Sequence, residues 1–326
     1  MASYKSKAKR KVKGKIKNKV KKSPIFICIV IILAIIGAIF VFKDKLLASD
    51  KKIIEVSVPV PSDGEIMFHF IDVGQGDAIL ITSRSGNILI DSGDIDPESQ
   101  EAFRKYLENA NVHSFEYVIF THTDADHIGS ADYVIQNYLV KNVIMPDYQA
   151  TTKVFGRLMN AIEERNVNLI LIGEDKQTCE QSGYTFYLGS MLNTVIAPTE
   201  DFNDANEISI VLKSTYGSTS FMFTGDAEKK SEAAILDVWK ASDLKCDVLK
   251  VGHHGSDSST TKDFLDAVSP KIAVISCGEG NDYGHPKKEI LDRLEAAGVT
   301  IYRTDTMGTV VLKSDGKSVS LVQTDK

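Results

Sequence analysis

Hydrophobic positions fall into three regimes along the chain. Ile25 to Phe42 is a run of 18 residues without a charge, dominated by Ile, Val, Phe and Ala. As a helix it would reach roughly 27 Å, about the thickness of a hydrocarbon core. Residues 46–64 (LLASDKKIIEVSVPVPSDG) lack helical periodicity and are punctuated by Pro59, Pro61 and Gly64, which fits a linker. From Glu65 onward, strands and helices alternate. MFHFIDV, DAILITS and NILIDSG predict three strands, and the spacing of Phe103, Tyr106 and Leu107 predicts a helix around Pro97 to Ala110. YVIFTH (117–122) predicts an apolar strand, and the alternation continues to about Ile172. Tyr184 to Gly225 reads as strand-rich, with GYTFYLGS, NTVIAP, ISIVLKS and SFMFTG. Helices near Ser231–Trp239, Thr261–Val268 and Lys287–Ala297 then alternate with strands in DVLKVG, KIAVIS and VTIYRT. Two mixed sheets covered by helices suit this order better than one parallel sheet. With no second linker and no repeat, residues 65–326 read as one domain.

Composition narrows the class. A chain of 326 residues that is 43% hydrophobic and 25% charged is neither disordered nor a disulfide scaffold, and its ordinary hydropathy excludes a polytopic membrane protein. The net charge of −6 hides a segregation. Residues 1–45 hold 13 Lys/Arg and one acid, Asp44, giving +12; the other 25 basic and 43 acidic residues give −18. Residues 1–22 (MASYKSKAKRKVKGKIKNKVKK) have almost nothing to bury and read as a disordered basic tail. The Lys/Arg excess before the apolar run predicts a cytoplasmic N-terminus and an extracellular C-terminal part, with the tail touching anionic headgroups. The run is long for a signal-peptide core, and Leu46-Leu47-Ala48 is a poor cleavage site, so an uncleaved anchor in the cell membrane is expected. The expected order is a basic cytoplasmic tail (1–22), a transmembrane signal anchor (23–45), a linker (46–64) and a globular domain (65–326). Cys28, Cys179, Cys246 and Cys277 show no CxxC spacing and no disulfide framework.

Candidate chemistry sits where strands end. Thr121-His122-Thr123-Asp124-Ala125-Asp126-His127 places two imidazoles and two carboxylates within six residues of a buried strand. Such a set is poor core material, and a divalent metal pair is its natural occupant, against a polar solvated loop. Thr224-Gly225-Asp226 follows a strand, where a lone Asp is more often a helix cap. Gly252-His253-His254-Gly255-Ser256 follows another, Asn281-Asp282-Tyr283-Gly284-His285-Pro286 a third, and Asp91-Ser92-Gly93 a fourth. Each is weak alone. Together they follow the way rigid strands aim loop side chains at one rim.

These residues carry a resemblance. HxDxDH at 122–127 is a variant of the HxHxDH signature of the metallo-β-lactamase fold, with Asp124 in place of the second His. FIDVGQGDAILI, ILIDSG, THTDADHIGS, NEISIVL, FTGDAE, VLKVGHHGSDSST, NDYGHP and YRTDTMGTV resemble the soluble domain of the ComEC competence DNA-uptake family, over about Phe70 to Val310. One apolar segment, rather than a multi-span channel, makes the chain look like a standalone relative. The resemblance implies an α/β (α+β) αββα sandwich with one or two metals at the sheet edges. It implies that His122 and Asp124 hold one metal, that Asp126, His127 and His253 hold the other, and that Asp226 bridges them. His253 is preferred to His254 because Gly-His after a strand matches the family's last ligand position. The family's usual third His is absent; Asn206 stands there, a weak ligand or substrate contact. Asp91 would orient a ligand His, while His254 and Ser256 would support the site or the substrate. His285 would bind phosphate or protonate a leaving group. Asp72, Gln75 and Asp77 read as a hairpin turn at the rim.

In this scheme Asp126 and His285 are the catalytic side chains, and a metal-activated hydroxide is the nucleophile. Three Asp against three His admit Mn²⁺ as well as Zn²⁺, with zinc the expected ion. The reading is a membrane-anchored, extracytoplasmic phosphodiesterase or nuclease. The alternatives are hydrolysis of an ester, lactone or β-lactam bond, or a non-catalytic surface binding protein. The −18 charge of the exported part weighs against long nucleic acid and toward a smaller phosphodiester.

Overall fold

Fifteen strands in the described residues build two sheets. The computed structural model describes residues 58–173 and 182–325; the predicted tail, the anchor and all but the end of the linker lie outside them, as do Cys28 and Cys179. No helix among the described residues is long and apolar enough to cross a membrane. The first sheet contains β1 (Ile66–Phe70), β2 (Ile79–Ser83), β3 (Gly86–Ile90), β4 (Ser114–Ile119), β5 (Leu139–Pro146) and β6 (Asn168–Ile172). Two strands that the sequence reading did not propose, β14 (Val310–Ser314) and β15 (Val319–Thr324), complete it, in the order β15-β14-β1-β2-β3-β4-β5-β6. The second sheet takes β7 (Thr185–Leu188), β8 (Met191–Ala197), β9 (Val211–Tyr216), β10 (Thr219–Phe223), β11 (Val248–Lys250), β12 (Ile272–Ile275) and β13 (Thr300–Arg303), ordered from β13 back to β7.

Strand parity decides what each sheet face buries. Successive side chains of a strand point to opposite faces. Ile79 and Ile81, Ile88 and Ile90, Ile119 and Ile144 therefore fall in the layer between the sheets, with Phe68, Phe70, Phe221, Phe223, Val248 and Val274. The alternate residues Leu80, Leu89, Val118 and Val143 fall on the outer face, under helices Pro97–Asn109, Ala131–Asn137 and Lys153–Arg165. Helices Lys229–Val238, Lys262–Val268 and Lys288–Ala296 cover the second sheet through Ile235, Phe264, Leu265, Ile290 and Leu294. The result is four layers, αββα. The expected helix at 97–110 is present to within a residue, capped by the Asp96 carboxylate, which accepts from Glu98 N and Ser99 N.

One feature of register positions the site. β3–β4 and β10–β11–β12 pair in parallel. Parallel neighbours end on the same side, so the loops after β3 and β4 emerge together, and so do those after β10, β11 and β12. These are the loops that carry Asp91, His122, Asp226, His253 and His285.

The layer between the sheets depends on aromatic stacking across it. Phe68 is fully buried and stacks on Phe221, with ring centroids 3.6 Å apart and planes 13° from parallel. Phe68→Ala should cost about 3–5 kcal/mol. The expected result is a lower urea midpoint with an unchanged slope; an unchanged midpoint would contradict the packing.

Candidate metal centre

The site begins with a strained residue. Asp91, the first residue after β3, has φ +58° and is fully buried. Its Oδ1 accepts from Thr121 N at 2.8 Å, and its Oδ2 accepts from Thr121 Oγ1 at 2.7 Å. Oδ2 is also 2.8 Å from His127 Nδ1. A carboxylate on Nδ1 places the proton there and leaves the Nε2 lone pair free. His127 sits on the short helix Ala125–Ile128 with its ring fully buried.

Nε2 of His127 faces the other sheet. It lies 3.3 Å from His254 Nε2 and 3.3 Å from Asp226 Oδ1. His254 Nε2 is 3.4 Å from Asp226 Oδ2 and 3.3 Å from Asp126 Oδ2. Nitrogen and oxygen donors arranged tetrahedrally at the usual zinc bond length would be about 3.3–3.4 Å apart. Asp226 Oδ1 is buried without a hydrogen-bond donor. Electrostatics agree with the spacing. Burial opposes charge on His127 and His254, yet the carboxylate of Asp226, helped by Asp91 at His127 and by Asp126 at His254, holds both pKa values well above the usual range. Asp226 itself, despite its burial, is held well below the carboxylate range by the two imidazoles. The pocket is a well for positive charge, and the donor set fits a divalent ion.

Backbone chemistry explains how these residues reach one another. Gly225, before Asp226, has φ +51°, and a Cβ there would lie 2.7 Å from Thr121 Cβ, so the β10 loop can meet the β4 loop only at glycine. His253 and His254 both adopt left-handed φ values, +45° and +54°, inside the Gly252–Gly255 turn. Strain of this kind persists where the surroundings enforce it. Here His254 Nδ1 donates to Ser276 O at 2.9 Å, and His253 Nδ1 lies 2.9 Å from Glu228 Oε1.

Of the two adjacent histidines the expected ligand is His253, but the geometry brings its neighbour to the convergence. His254 supplies the nitrogen at the convergence. His253 stands beyond Asp226, with Nε2 3.6 Å from Asp226 Oδ2, and its ring edge faces His285 at 5.6 Å. His122 is fully buried; its Nε2 has no hydrogen-bond partner and lies 4.0 Å from Asp124 Oδ2. Burial lowers its pKa to about 3, so it is a neutral donor. Asn206 lies in a turn where its N–H meets Asp204 Oδ1 at 3.0 Å, and Ser256 bonds Ser258 rather than the centre. His285 lines a cleft of about 140 Å³ with Gln75, Asp124, Asp126, Asp226, His253, His254 and Tyr283. Burial and then His253 push its pKa down to about 4.

Four participants were not assigned to the centre from the sequence. Asp77 is a buried carboxylate rather than a rim residue, and it lies with His127, Asp226 and His254 in a group whose donor atoms are all within 4.8 Å of one another. Burial pushes the Asp77 carboxyl up, but the Lys250 ammonium together with the His254 and His127 imidazoles pulls it down further and holds its pKa at about 2. Lys250 is itself fully buried. A lysine inside the apolar run DVLKVG was the available signal. Glu228 orients His253, and Glu207 caps the Lys229–Val238 helix by accepting from Ser231 N at 2.7 Å, a role the sequence offered to Asp226. Cys246 and Cys277 are buried free thiols.

Comparison with known proteins places this geometry. Residues 71–187 match the model of the metallo-beta-lactamase superfamily. ComE operon protein 3 of Bacillus subtilis (strain 168) is 32% identical over 266 residues, covering 76% of this chain and 33% of that protein. Competence protein ComA of Neisseria gonorrhoeae is 28% identical over 241 residues, covering 73% of this chain and 31% of that one. This is a ComEC-like protein of the metallo-β-lactamase fold. The chain spans about a third of the length of the curated relatives it matches. A solved metallo hydrolase from Ignicoccus hospitalis is 15% identical with a TM-score of 0.49, covering 76% of this chain and 98% of its own. The superfamily match and the grouped carboxylates and imidazoles together support a metallo-hydrolase fold with a site able to hold a divalent metal.

Asp91→Asn tests the orientation of His127. Asn tolerates the left-handed φ, and its carbonyl can still accept from Thr121 N, but its amide would turn a lone pair of His127 toward Nδ1 and a proton toward Asp226. Zinc affinity, read by chelator competition, should fall about 10–100-fold. Wild-type affinity in the variant would show that Asp91 does not orient the ring.

Proposed function

We propose that the chain is a membrane-anchored, extracytoplasmic, metal-dependent hydrolase of phosphodiesters. The observation that carries this reading is the meeting of His127 Nε2, His254 Nε2, Asp226 and Asp126 at 3.3–3.4 Å. These four would hold the ion, with His122 and Asp124 beside them. A divalent cation there supplies Lewis acidity and positive charge where a scissile phosphate would lie. The mixed nitrogen and oxygen donors suit Zn²⁺ and admit Mn²⁺. The chain's own residues do the rest. Asp91 holds the His127 proton on Nδ1, and Ser276 O holds the His254 proton on its Nδ1. His285, neutral at pH 7, lines the same cleft, where a neutral imidazole offers one N–H to a phosphate oxygen or leaving group.

The names of the relatives, which include a competence protein and a recombination protein, support a nucleic-acid phosphodiester. The charge of −18 beyond residue 45 supports a smaller one. The neighbouring cleft adds to that side, because Asp72, Asp94, Asp96 and Glu98 line it and share Gln75 with the site. The anchor rests on the uncharged run Ile25–Phe42 and the basic residues before it.

An activity panel with Zn²⁺ and Mn²⁺ tests the chemistry, using bis-p-nitrophenyl phosphate, single- and double-stranded DNA, and a chromogenic β-lactam. Turnover of the phosphodiesters is expected, with loss on chelation. His127→Ala should cost more than the roughly 10–100-fold typical of residues that only orient a ligand. Turnover of the β-lactam alone would overturn the reading. Protease added outside intact cells should remove the domain; complete protection would refute the topology.

A further inference from the structure

Lys250 ends β11 with its ammonium 2.5 Å from Asp77 Oδ2, and both side chains are buried. Neither is used by the hydrolysis proposed above. A buried charge is costly without a partner, so each residue accounts for the other's burial. Mutual neutralisation does not account for where the pair lies. The second oxygen of Asp77, Oδ1, accepts no hydrogen bond and sits 3.5 Å from His254 Nδ1. That is the nitrogen whose proton goes to Ser276 O, opposite the one that meets His127, Asp126 and Asp226. The outer edge of the imidazole is therefore held between a carbonyl and a carboxylate. Lys250 Nζ also reaches Gly225 O at 3.4 Å, one residue before Asp226.

The turn that delivers Asp77 touches the other site loops as well. Asp77 N donates to Asp126 O at 3.1 Å, and Asp77 O accepts from Gly93 N at 2.8 Å. Gly76 has φ +124°, and a Cβ there would lie 2.3 Å from Asp126 O. Gln75 Oε1 accepts from Gly278 N at 3.2 Å, at the start of the loop that carries His285.

We propose that Asp77 and Lys250 are a positioning pair for the metal centre: Asp77 fixes the outer edge of His254, and Lys250 cancels the charge of Asp77 so that it stays a support rather than a ligand. The proposal rests on the metal-centre reading given under the proposed function. The full chain, in wild-type, D77N and D77N/K250M forms, is titrated with Co²⁺. Visible absorption reports the ligand geometry, chelator competition gives Kd, and circular dichroism of the metal-free protein reports the fold. The double variant removes both buried charges together and so avoids an unpaired one. The expected result is a folded double variant whose Kd for Co²⁺ is weaker by about 10–100-fold, with an altered visible band, and a D77N variant that shifts the same way. A folded double variant with wild-type Kd and spectrum would overturn the proposal. So would a double variant that is unfolded without metal, because the pair would then support the fold alone. Failure of the wild-type chain to take up Co²⁺ would instead bring down the metal-centre reading, and this proposal with it.

Discussion

Buried carboxylates govern this molecule. Asp77, Asp91 and Asp226 are almost wholly excluded from water, and Asp126 lies against them. Each needs hydrogen bonds or positive charge to remain there. Asp77 has Lys250, and Asp91 has Thr121 and His127. Asp226 faces the imidazoles of His127 and His254 and Asp126 faces that of His254, and Asp226 still keeps an oxygen without a donor. The network also joins the two halves of the fold. Asp91, Asp126 and His127 follow strands of the eight-stranded sheet, whereas Asp226, Lys250 and His254 belong to the seven-stranded one. A cation at their meeting point would complete the neutralisation and bridge the sheets at their rim.

The scaffold brings these groups together by parallel pairing on each sheet and tight backbone contacts between loops. Left-handed φ at Asp91, His253 and His254 concentrates strain in two turns of the site. Strain tolerated at one rim is a mark of a site held to a set geometry. Glycine at 225 does the complementary work, because any side chain there would push the β10 loop off Thr121.

Charge segregation frames the proposed function. A +12 leader followed by a −18 remainder suits attachment at an anionic membrane by one end and little attraction to polyanions at the other. The acidic wall of Asp94, Asp96 and Glu98 beside the candidate centre continues that field to its edge. Within the proposed phosphodiester class, it favours compact substrates that engage the centre without running along the wall.

Much of the fold was legible because period-2 and helical spacing are local. The strand runs from MFHFIDV to VTIYRT and the helix around Pro97–Ala110 lie close to where they were read. The strands β14 and β15 were missed, because their place beside β1 depends on the chain returning to the first sheet. The loops carrying Asp91, His122–His127, Asp226, His253–His254 and His285 were legible as chemistry following strands. What the sequence determined alone was which residues could form the site. The tertiary structure decided which of them face it. His254 rather than His253 turns inward because φ at the two residues, the carbonyl of Ser276 and the carboxylate of Glu228 orient the rings, and those partners are 22 and 25 residues away. Asp77 and Lys250, 173 positions apart in the numbering, became a buried pair only when the turn between β1 and β2 of one sheet closed on the end of β11 in the other.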